Sequence, residues 1–232
     1  MIEYINGDFM EVFEDKNICS KCKGKCCKKC GCDYAPNDFE SLSIDYLQNK
    51  LESGNISIVA TLVFERLNNG KLTCTPILYL RARNKNRPIV DLISIKTTCS
   101  LLTENGCPYE YKDRPSGAKN VIPMPDFNCK KNISQEDLII IPWLSYQKTL
   151  SRLVKRLTGN SVDKQILIDV LNLYKELYKQ DFNDVSKIEL LEVLELLPYI
   201  SEVYKEEFNE VFKDDIYKMK VLSKYKKKSN LI

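Results

Sequence analysis

The chain has 232 residues, of which 44% are hydrophobic and 29% charged, a composition typical of a globular protein with one large or two small domains. Its formal net charge is only +3, so no global field favours a nucleic-acid partner. It contains no histidine, which excludes His-based acid–base chemistry and leaves thiolates and carboxylates as the strong side-chain metal ligands.

Residues 1–18 form an acidic stretch with scattered apolar residues, and they have neither the basic segment nor the apolar run of a secretory signal. No apolar run elsewhere approaches the ~20 residues that a membrane-spanning helix needs. We therefore expect a cytoplasmic protein without a membrane partner. In a reducing compartment, dense cysteine indicates metal or redox chemistry rather than structural disulfides.

The densest feature of the sequence is CSKCKGKCCKKCGC, which spans residues 19–32 and holds six of the ten cysteines. Converging thiolates are the ligands of four-cysteine zinc sites and of iron–sulfur clusters, and the spacing matches neither common ferredoxin run. A CxxC pair lets both sulfurs point the same way, whereas adjacent cysteines diverge. One cysteine of the CC pair would therefore serve a second metal, bridge two metals or stay outside the centre. The predicted ligands in this run are Cys19, Cys22, Cys26, Cys27, Cys30 and Cys32.

Two other interpretations of this run are disfavoured. Buried packing thiols would need an apolar face, and the intervening Lys and Gly residues do not provide one. A disulfide scaffold would need an oxidising compartment. The interleaved lysines would offset the negative charge of a thiolate centre and lower the thiol pKa, although a phosphate-binding patch or solvated lysines remain alternatives. These lysines are Lys16, Lys21, Lys23, Lys25, Lys28 and Lys29.

The sequence after the cysteine run predicts a helix and a β-hairpin. SIDYLQNKLES, residues 43–53, reads as a helix with Ser43 as its N-cap and Gly54 at its end. Residues 56–67 and 71–81 are rich in β-branched residues, and the Asn-Asn-Gly between them is a hairpin signal. Residues 89–95 could form a third short strand.

Residues 96–133 are rich in turns and carry three cysteines, so we expect irregular structure held by a staple. Just before them, the basic run RARNKNR at residues 81–87 predicts either an anion site or a solvated loop. Asp91 follows as a single carboxylate without an evident partner, which is weak evidence for acid–base work.

From Ser134 the pattern becomes helical. SQED at residues 134–137 resembles a capping box, and Pro142 is expected to open a helix that ends at Gly159. Ser161 is expected to cap the next helix, and helices at 186–197 and 199–225 follow, separated by Pro198. The predicted fold class is α+β, with a metal-stapled N-terminal half built on a small antiparallel sheet (residues 1–133) and an all-helical C-terminal half (residues 134–232).

Residues 99–115 read CSLLTENGCPYEYKDRP, with two cysteines, two leucines, a Glu-Asn-Gly turn and an Arg-Pro pair. Together with CSKCKGKCC upstream, this block resembles the cysteine-cluster family named after YkgJ, whose members are described as zinc- or iron-chelating proteins. In that family a CxxC followed by paired cysteines is joined by a later segment of the form C-x-x-L…G-x-C…R-P-x-x-C-R. The resemblance covers residues 19–130.

The resemblance implies ligands from both blocks and an Arg-Pro element at Arg114 and Pro115. The chain departs from the family where it has Ala118 and Lys119 in place of the family's cysteine and arginine. Cys129 is the candidate replacement for that lost thiol, while Cys30, Cys32 and Cys74 are cysteines beyond the family pattern. Cys74 lies in an apolar strand, where the role of a small buried packing residue is as well supported as that of a metal ligand. The ligands implied by the family are Cys19, Cys22, Cys26, Cys27, Cys99 and Cys107.

The function expected from the sequence is that of a cytosolic metal-binding protein with a Cys-ligated iron–sulfur or zinc centre, with a slight preference for iron–sulfur. One alternative is an iron–sulfur-dependent enzyme that modifies a protein or peptide, by analogy with flagellin lysine N-methylases, with Arg83, Arg87 or Arg114 as anion holders. Another is a zinc-stapled binding module for a protein or peptide, with nucleic acid less expected because the net charge is small.

Overall fold

The fold is given by a computed structural model that describes residues 2–5, 8–11, 15, 18, 21–24, 32–94, 98–127, 129–131, 137–179 and 195–211. Two short strands, β1 (Ile2–Ile5) and β2 (Asp8–Glu11), pair antiparallel with each other. β3 (Asp33–Tyr34) directly follows the cysteine run. Helix α1 (Ile44–Glu52) comes next, and the Ser43 hydroxyl accepts the Tyr46 N–H at 3.4 Å, which confirms the predicted N-cap.

The predicted hairpin is confirmed. β4 (Ile56–Arg66) and β5 (Leu72–Ala82) pair antiparallel from Ile56 opposite Ala82 to Arg66 opposite Leu72. The turn between them places Gly70 at φ +79°, a left-handed conformation that suits glycine. β3 joins the other side of β5, so the sheet has the order β3-β5-β4.

The prediction of a third strand at residues 89–95 is wrong, since the described residues 89–94 do not form a strand. Only Val90 bridges to Ile58, in a parallel sense, and the chain turns immediately afterwards. The turn is fixed because the Asp169 carboxylate accepts the Leu92 N–H at 2.7 Å, which diverts the backbone from β4. Asp33 and Tyr34 supply the third strand instead, on the opposite edge.

Residues 98–127 and 129–131 are largely irregular, as expected. They contain a turn of 3-10 helix at Tyr111–Asp113, the one-turn helix α2 (Ser116–Lys119), and the two-residue strands β6 (Val121–Ile122) and β7 (Lys130–Lys131). β6 and β7 pair antiparallel.

The C-terminal part is helical over its described residues. α3 (Asp137–Ile140) leads into a 3-10 helix at Ile141–Tyr146 and then into α4 (Gln147–Thr158). Pro142 therefore opens the 3-10 segment, and α4 ends at Gly159 with φ +75° as predicted. Ser161 caps α5 (Val162–Lys179), since its hydroxyl accepts the Lys164 N–H at 3.3 Å.

The last described helices are α6 (Leu197–Val203) and α7 (Lys205–Val211). Pro198 lies in the first turn of α6, so this helix begins two residues before the start predicted at residue 199. The capping box expected at 134–137 and the helices expected over 186–194 and 212–225 lie outside the described residues, apart from Asp137.

One hydrophobic core joins the hairpin to the helices. Its residues come from α1, β4 and β5 on one side and from α4, α5, α6 and α7 on the other, and Trp143 lies at its centre with no exposed surface. The boundary expected between residues 133 and 134 falls in the undescribed stretch 132–136, and elements from both sides of it pack together. Among the helices described, none combines the length and apolar character that crossing a bilayer requires.

Candidate metal centre

The structure describes five of the predicted ligands. Cys22 and Cys99 are buried, with 8% and 2% of their surface exposed, and Cys32, Cys107 and Cys129 are half-buried. The other four predicted ligands, Cys19, Cys26, Cys27 and Cys30, lie outside the described residues.

The end of β5 brings three of these cysteines together. The Ala82 N–H donates to the Cys32 carbonyl at 2.7 Å, which extends the pairing of β3 with β5 by one step. Cys99 forms an antiparallel bridge with Asn84, two residues beyond the strand. Ala82 and Cys99 form a small buried cluster, and Cys32 and Cys107 pack against it. Cys32, Cys99 and Cys107 therefore belong to one small cluster at the end of β5.

A second contact joins the first cysteine block to the second. Lys23 and Gly24 both have positive φ, 49° and 73°, and their backbone lies against Gly106. A Cβ on Gly24 would lie 3.3 Å from the Gly106 Cα and would collide with the Leu102 side chain. Only glycine fits here, and this close packing brings the segment that carries Cys22 onto the turn that precedes Cys107.

That turn is built by local hydrogen bonds. Thr103 and Gly106 exchange two backbone hydrogen bonds, of 3.0 and 3.1 Å, and the Thr103 hydroxyl also donates to the Gly106 carbonyl at 2.8 Å. Gly106 has φ +99°, which reverses the chain between Cys99 and Cys107. The Glu-Asn-Gly signal noted in the sequence thus forms the tight loop that returns the second cysteine towards the first.

The segment after Arg114 clamps β3 in place. The Asp38 carboxylate accepts the Ser116 N–H and hydroxyl, both at 2.9 Å, and the Ala35 N–H at 2.8 Å. Burial raises the pKa of Asp38, while the hydrogen bonds from Ser116 and Ala35 oppose that rise. Gly117 packs directly on the Asp33 backbone, where an added Cβ would lie 2.6 Å from both the nitrogen and the oxygen. The Arg-Pro segment therefore holds the strand that follows Cys32.

Tyr34 lies beside the cysteines. Burial raises the pKa of its phenol, and the neighbouring Tyr109, Cys32 and Cys99 raise it further. The phenol is therefore a neutral O–H near two thiols. A neutral hydroxyl can donate a hydrogen bond to a thiolate without adding charge to the site.

Within the basic run at residues 81–87, Lys85 is exposed, as a solvated loop predicts, whereas the three arginines donate to groups of the protein. Arg81 is buried, and its Nε donates to the Asp33 carboxylate at 2.6 Å. Arg87 makes two hydrogen bonds to Asp91, of 2.9 and 2.6 Å, so Asp91 is not the lone carboxylate that the sequence suggested. The Arg83 Nε donates to the Arg87 carbonyl at 2.5 Å. These arginines, at and just beyond the end of β5, therefore bind groups of the protein itself.

The remaining two described cysteines belong to other elements. Cys129 directly precedes β7, which pairs with β6. Cys74 lies in β5, eight residues before Ala82, about 26 Å away along the strand. Burial raises the pKa of the Cys74 thiol, while its hydrogen bond with Tyr204 opposes that rise. Cys74 is thus a half-buried packing thiol away from the cluster.

Sequence reasoning missed the residues that hold the cysteines in place. Tyr34, Asp38 and Gly117 are common residue types without a motif, and the only signal was the small-residue sequence after Pro115. Within the described part of the chain, no group of three or more Cys, Asp or Glu side chains is arranged to hold a metal ion by itself. Any complete ligand set would therefore include cysteines from the undescribed part of residues 19–31.

Comparison with family models, with curated proteins and with solved structures finds no match to this chain. The candidate centre rests on the meeting of the two cysteine blocks at the end of β5.

Proposed function

We propose that this chain is a metal-binding protein whose centre takes thiolates from both cysteine blocks. The observation that carries the proposal is the close packing of the Lys23–Gly24 backbone on Gly106, next to Cys107. Two segments about 80 residues apart in sequence are ordered against each other here, and both carry cysteines. Long-range ordering of irregular backbone costs conformational entropy, which metal coordination offsets in small stapled regions.

The donor chemistry fits a zinc ion or an iron–sulfur cluster. Cys22, Cys32, Cys99 and Cys107 offer thiolates, and the chain has no histidine that could supply an imidazole ligand. The further ligands would come from Cys19, Cys26, Cys27 and Cys30, and Cys129 stays a predicted ligand. We favour iron–sulfur slightly, because the excess of cysteines and the interleaved lysines suit a cluster whose potential is tuned by its surroundings. A cluster would supply one-electron transfer, whereas zinc would supply folding energy.

The surroundings of the cysteines fit an anionic centre. Asp33 is neutralised by Arg81, so its carboxylate adds no uncompensated negative charge beside Cys32. The Tyr34 phenol stays neutral and can donate. Lys21 and Lys23 are exposed on either side of Cys22 in the sequence. Their charges would offset part of the negative charge of a thiolate centre, weakened by solvent screening.

The resemblance to the family named after YkgJ supports the same two blocks. We propose that Pro115 and the residues after it are a positioning element and not ligands, because Ser116 and Gly117 hold β3. The enzyme alternative stays a prediction. Arg83, Arg87 and Arg114, its expected anion holders, donate to groups of the protein, and the Arg114 Nε reaches the Tyr109 carbonyl at 3.2 Å. Binding of S-adenosylmethionine in calorimetry would favour that alternative.

The test is metal analysis with an optical spectrum on protein purified without air. Iron at a stoichiometric level with broad absorbance near ~400 nm would indicate an iron–sulfur centre, and a colourless protein with stoichiometric zinc would indicate a structural site. A chain with neither metal at a stoichiometric level would contradict the proposal.

A further inference from the structure

Among the described residues, nothing pairs with the outer edge of β4 beyond Ile58. Ile58 shows which residues face this edge, because its N–H donates to the Ile89 carbonyl at 2.8 Å and its carbonyl accepts the Asp91 N–H at 2.9 Å. Backbone groups alternate in direction along a strand, so those of every second residue after Ile58 face the same way. These residues are Ala60, Leu62, Phe64 and Arg66, and no backbone partner meets them on this side among the described residues.

The opposite edge of the same sheet is covered. At this edge, Tyr34 of β3 pairs with Leu80 of β5. The Gln147 side chain then replaces a strand residue, since it accepts the Leu78 N–H and donates to the Leu78 carbonyl, both at 2.8 Å. Pro76 follows and has no N–H to offer. Natural sheets block unwanted pairing with such devices, and the described part of the chain places none of them on β4 between Ala60 and Phe64.

The side chains of the open run favour pairing. Residues 60–64 carry neither a charge nor a proline. Ala60, Leu62 and Phe64 are half-buried at the rim of the core, and the Phe64 ring lies 5.4 Å from the ring of Tyr199. Val63 is on the other face with 44% of its surface exposed.

We propose that a second copy of this chain pairs with this edge, so that two β4 strands run antiparallel about a two-fold axis at Val63. The open run is limited on one side by the Ile89–Asp91 segment at Ile58 and on the other by the turn that begins at Leu67. Its centre is Val63. A two-fold axis there uses the whole run and joins two three-stranded sheets into one continuous sheet.

This register is self-complementary. Leu62 lies opposite the partner's Phe64 on the core face, which makes two apolar cross-strand pairs. Thr61 lies opposite the partner's Glu65, and Ala60 lies opposite the partner's Arg66, so no like charges face each other. The pairing is independent of the metal centre, since none of its residues is a proposed ligand.

The test compares Val63→Lys with Thr75→Lys in light scattering after size exclusion, over a range of protein concentrations. Thr75 is the β5 partner of Val63 and is also exposed, but it lies one strand away from the edge. Reductant is present, because ten cysteines could cross-link copies. We expect the unchanged chain and Thr75→Lys to reach twice the chain mass, and Val63→Lys to weaken the dimer at least ~10-fold, since two lysines would meet at the axis. A monomer at every concentration, or a dimer that Val63→Lys leaves unchanged, would overturn the proposal.

Amide hydrogen exchange of the unchanged chain gives a readout that needs no variant. The amides of Leu62 and Phe64 should exchange slowly in the dimer and faster on dilution, because their protection comes from the second copy. Fast exchange of these amides in a dimeric sample would place the interface elsewhere and contradict the proposal.

Discussion

Asp33 and Arg81 form a buried ion pair directly beside Cys32. Their side chains are 2% and 6% exposed, and the Arg81 guanidinium also donates to the Tyr79 hydroxyl at 2.8 Å. Removing one partner of such a pair leaves a buried charge without compensation, which is more destabilising than the pair is stabilising.

Asp33→Asn should therefore lower the free energy of unfolding by about 3–5 kcal/mol in urea titrations. The matched control is Glu202→Gln, which breaks the exposed pair of Arg66 and Glu202, whose side chains are 54% and 49% exposed. The control should change the free energy of unfolding much less than Asp33→Asn does, because solvent screens that pair. Equal effects of the two substitutions would show that the burial of Arg81 is not significant for stability.

Asp169 gives the fold a pH dependence. The pKa of its carboxyl is raised from 3.8 to about 7, mostly by burial and also by the nearby Asp91, while the Leu92 N–H, Gln165 and Arg87 oppose the rise. Between these two values the folded chain holds a proton that the unfolded chain has lost. Stability should thus fall as the pH rises towards 7, by up to about 1.4 kcal/mol per pH unit, and level off above that.

Asp169→Asn keeps a neutral side chain at every pH and should remove this dependence. Relative to the unchanged chain, the variant should gain stability as the pH rises from about 4 to about 7, measured as the difference in the free energy of unfolding by urea. A constant difference across that range would mean that Asp169 is ionised throughout.

At the scale of elements, the hairpin could be predicted because its signals are local. Asn68, Asn69 and Gly70 encode the turn, and the alternating β-branched residues encode the two strands. The third strand could not be predicted in the same way. Asp33 and Tyr34 carry no strand signal of their own, and they become a strand because Asp38 and Gly117 fix them against residues about 80 positions later.

The candidate centre was predictable to a similar, partial extent. The density and spacing of the cysteines are visible in the sequence, so both blocks could be recognised from it. Their supports were not, because Asp38, Ser116 and Tyr34 act through contacts that depend on the folded chain. The partners of the arginines in the basic run could not be predicted for the same reason, since the acceptors of Arg81 and Arg87 are Asp33 and Asp91, which no spacing rule connects to a buried network.

The packing of α2 on β3 makes a prediction at this scale. Gly117→Ala would place a methyl group 2.6 Å from the Asp33 backbone, so the two elements must separate. We expect a loss of roughly 1–3 kcal/mol in the free energy of unfolding and reduced metal per chain, because β3 follows Cys32. Gly70→Ala is the control. It strains a positive φ but meets no atom within 4 Å, so it should lower stability and leave the metal content unchanged.

At the scale of the whole molecule, a single core predicts a single unfolding transition. Trp143, the one tryptophan of the chain, is fully buried, and its Nε1 donates to the Tyr34 carbonyl at 2.7 Å. It therefore connects the helices to the strand beside the cysteines. Urea transitions followed by Trp143 fluorescence and by far-ultraviolet circular dichroism should coincide. Two separated transitions would mean that the two halves unfold independently.

The most direct test of a shared centre is the metal content per chain of three single variants purified without air. Cys22→Ser removes a thiol from the first block, Cys107→Ser removes one from the second, and Cys74→Ser removes a thiol at the far end of β5 as the control. We predict that the first two variants lose most of the metal and that Cys74→Ser retains the amount found in the unchanged chain. Full metal content in Cys107→Ser would contradict a centre that draws on both blocks.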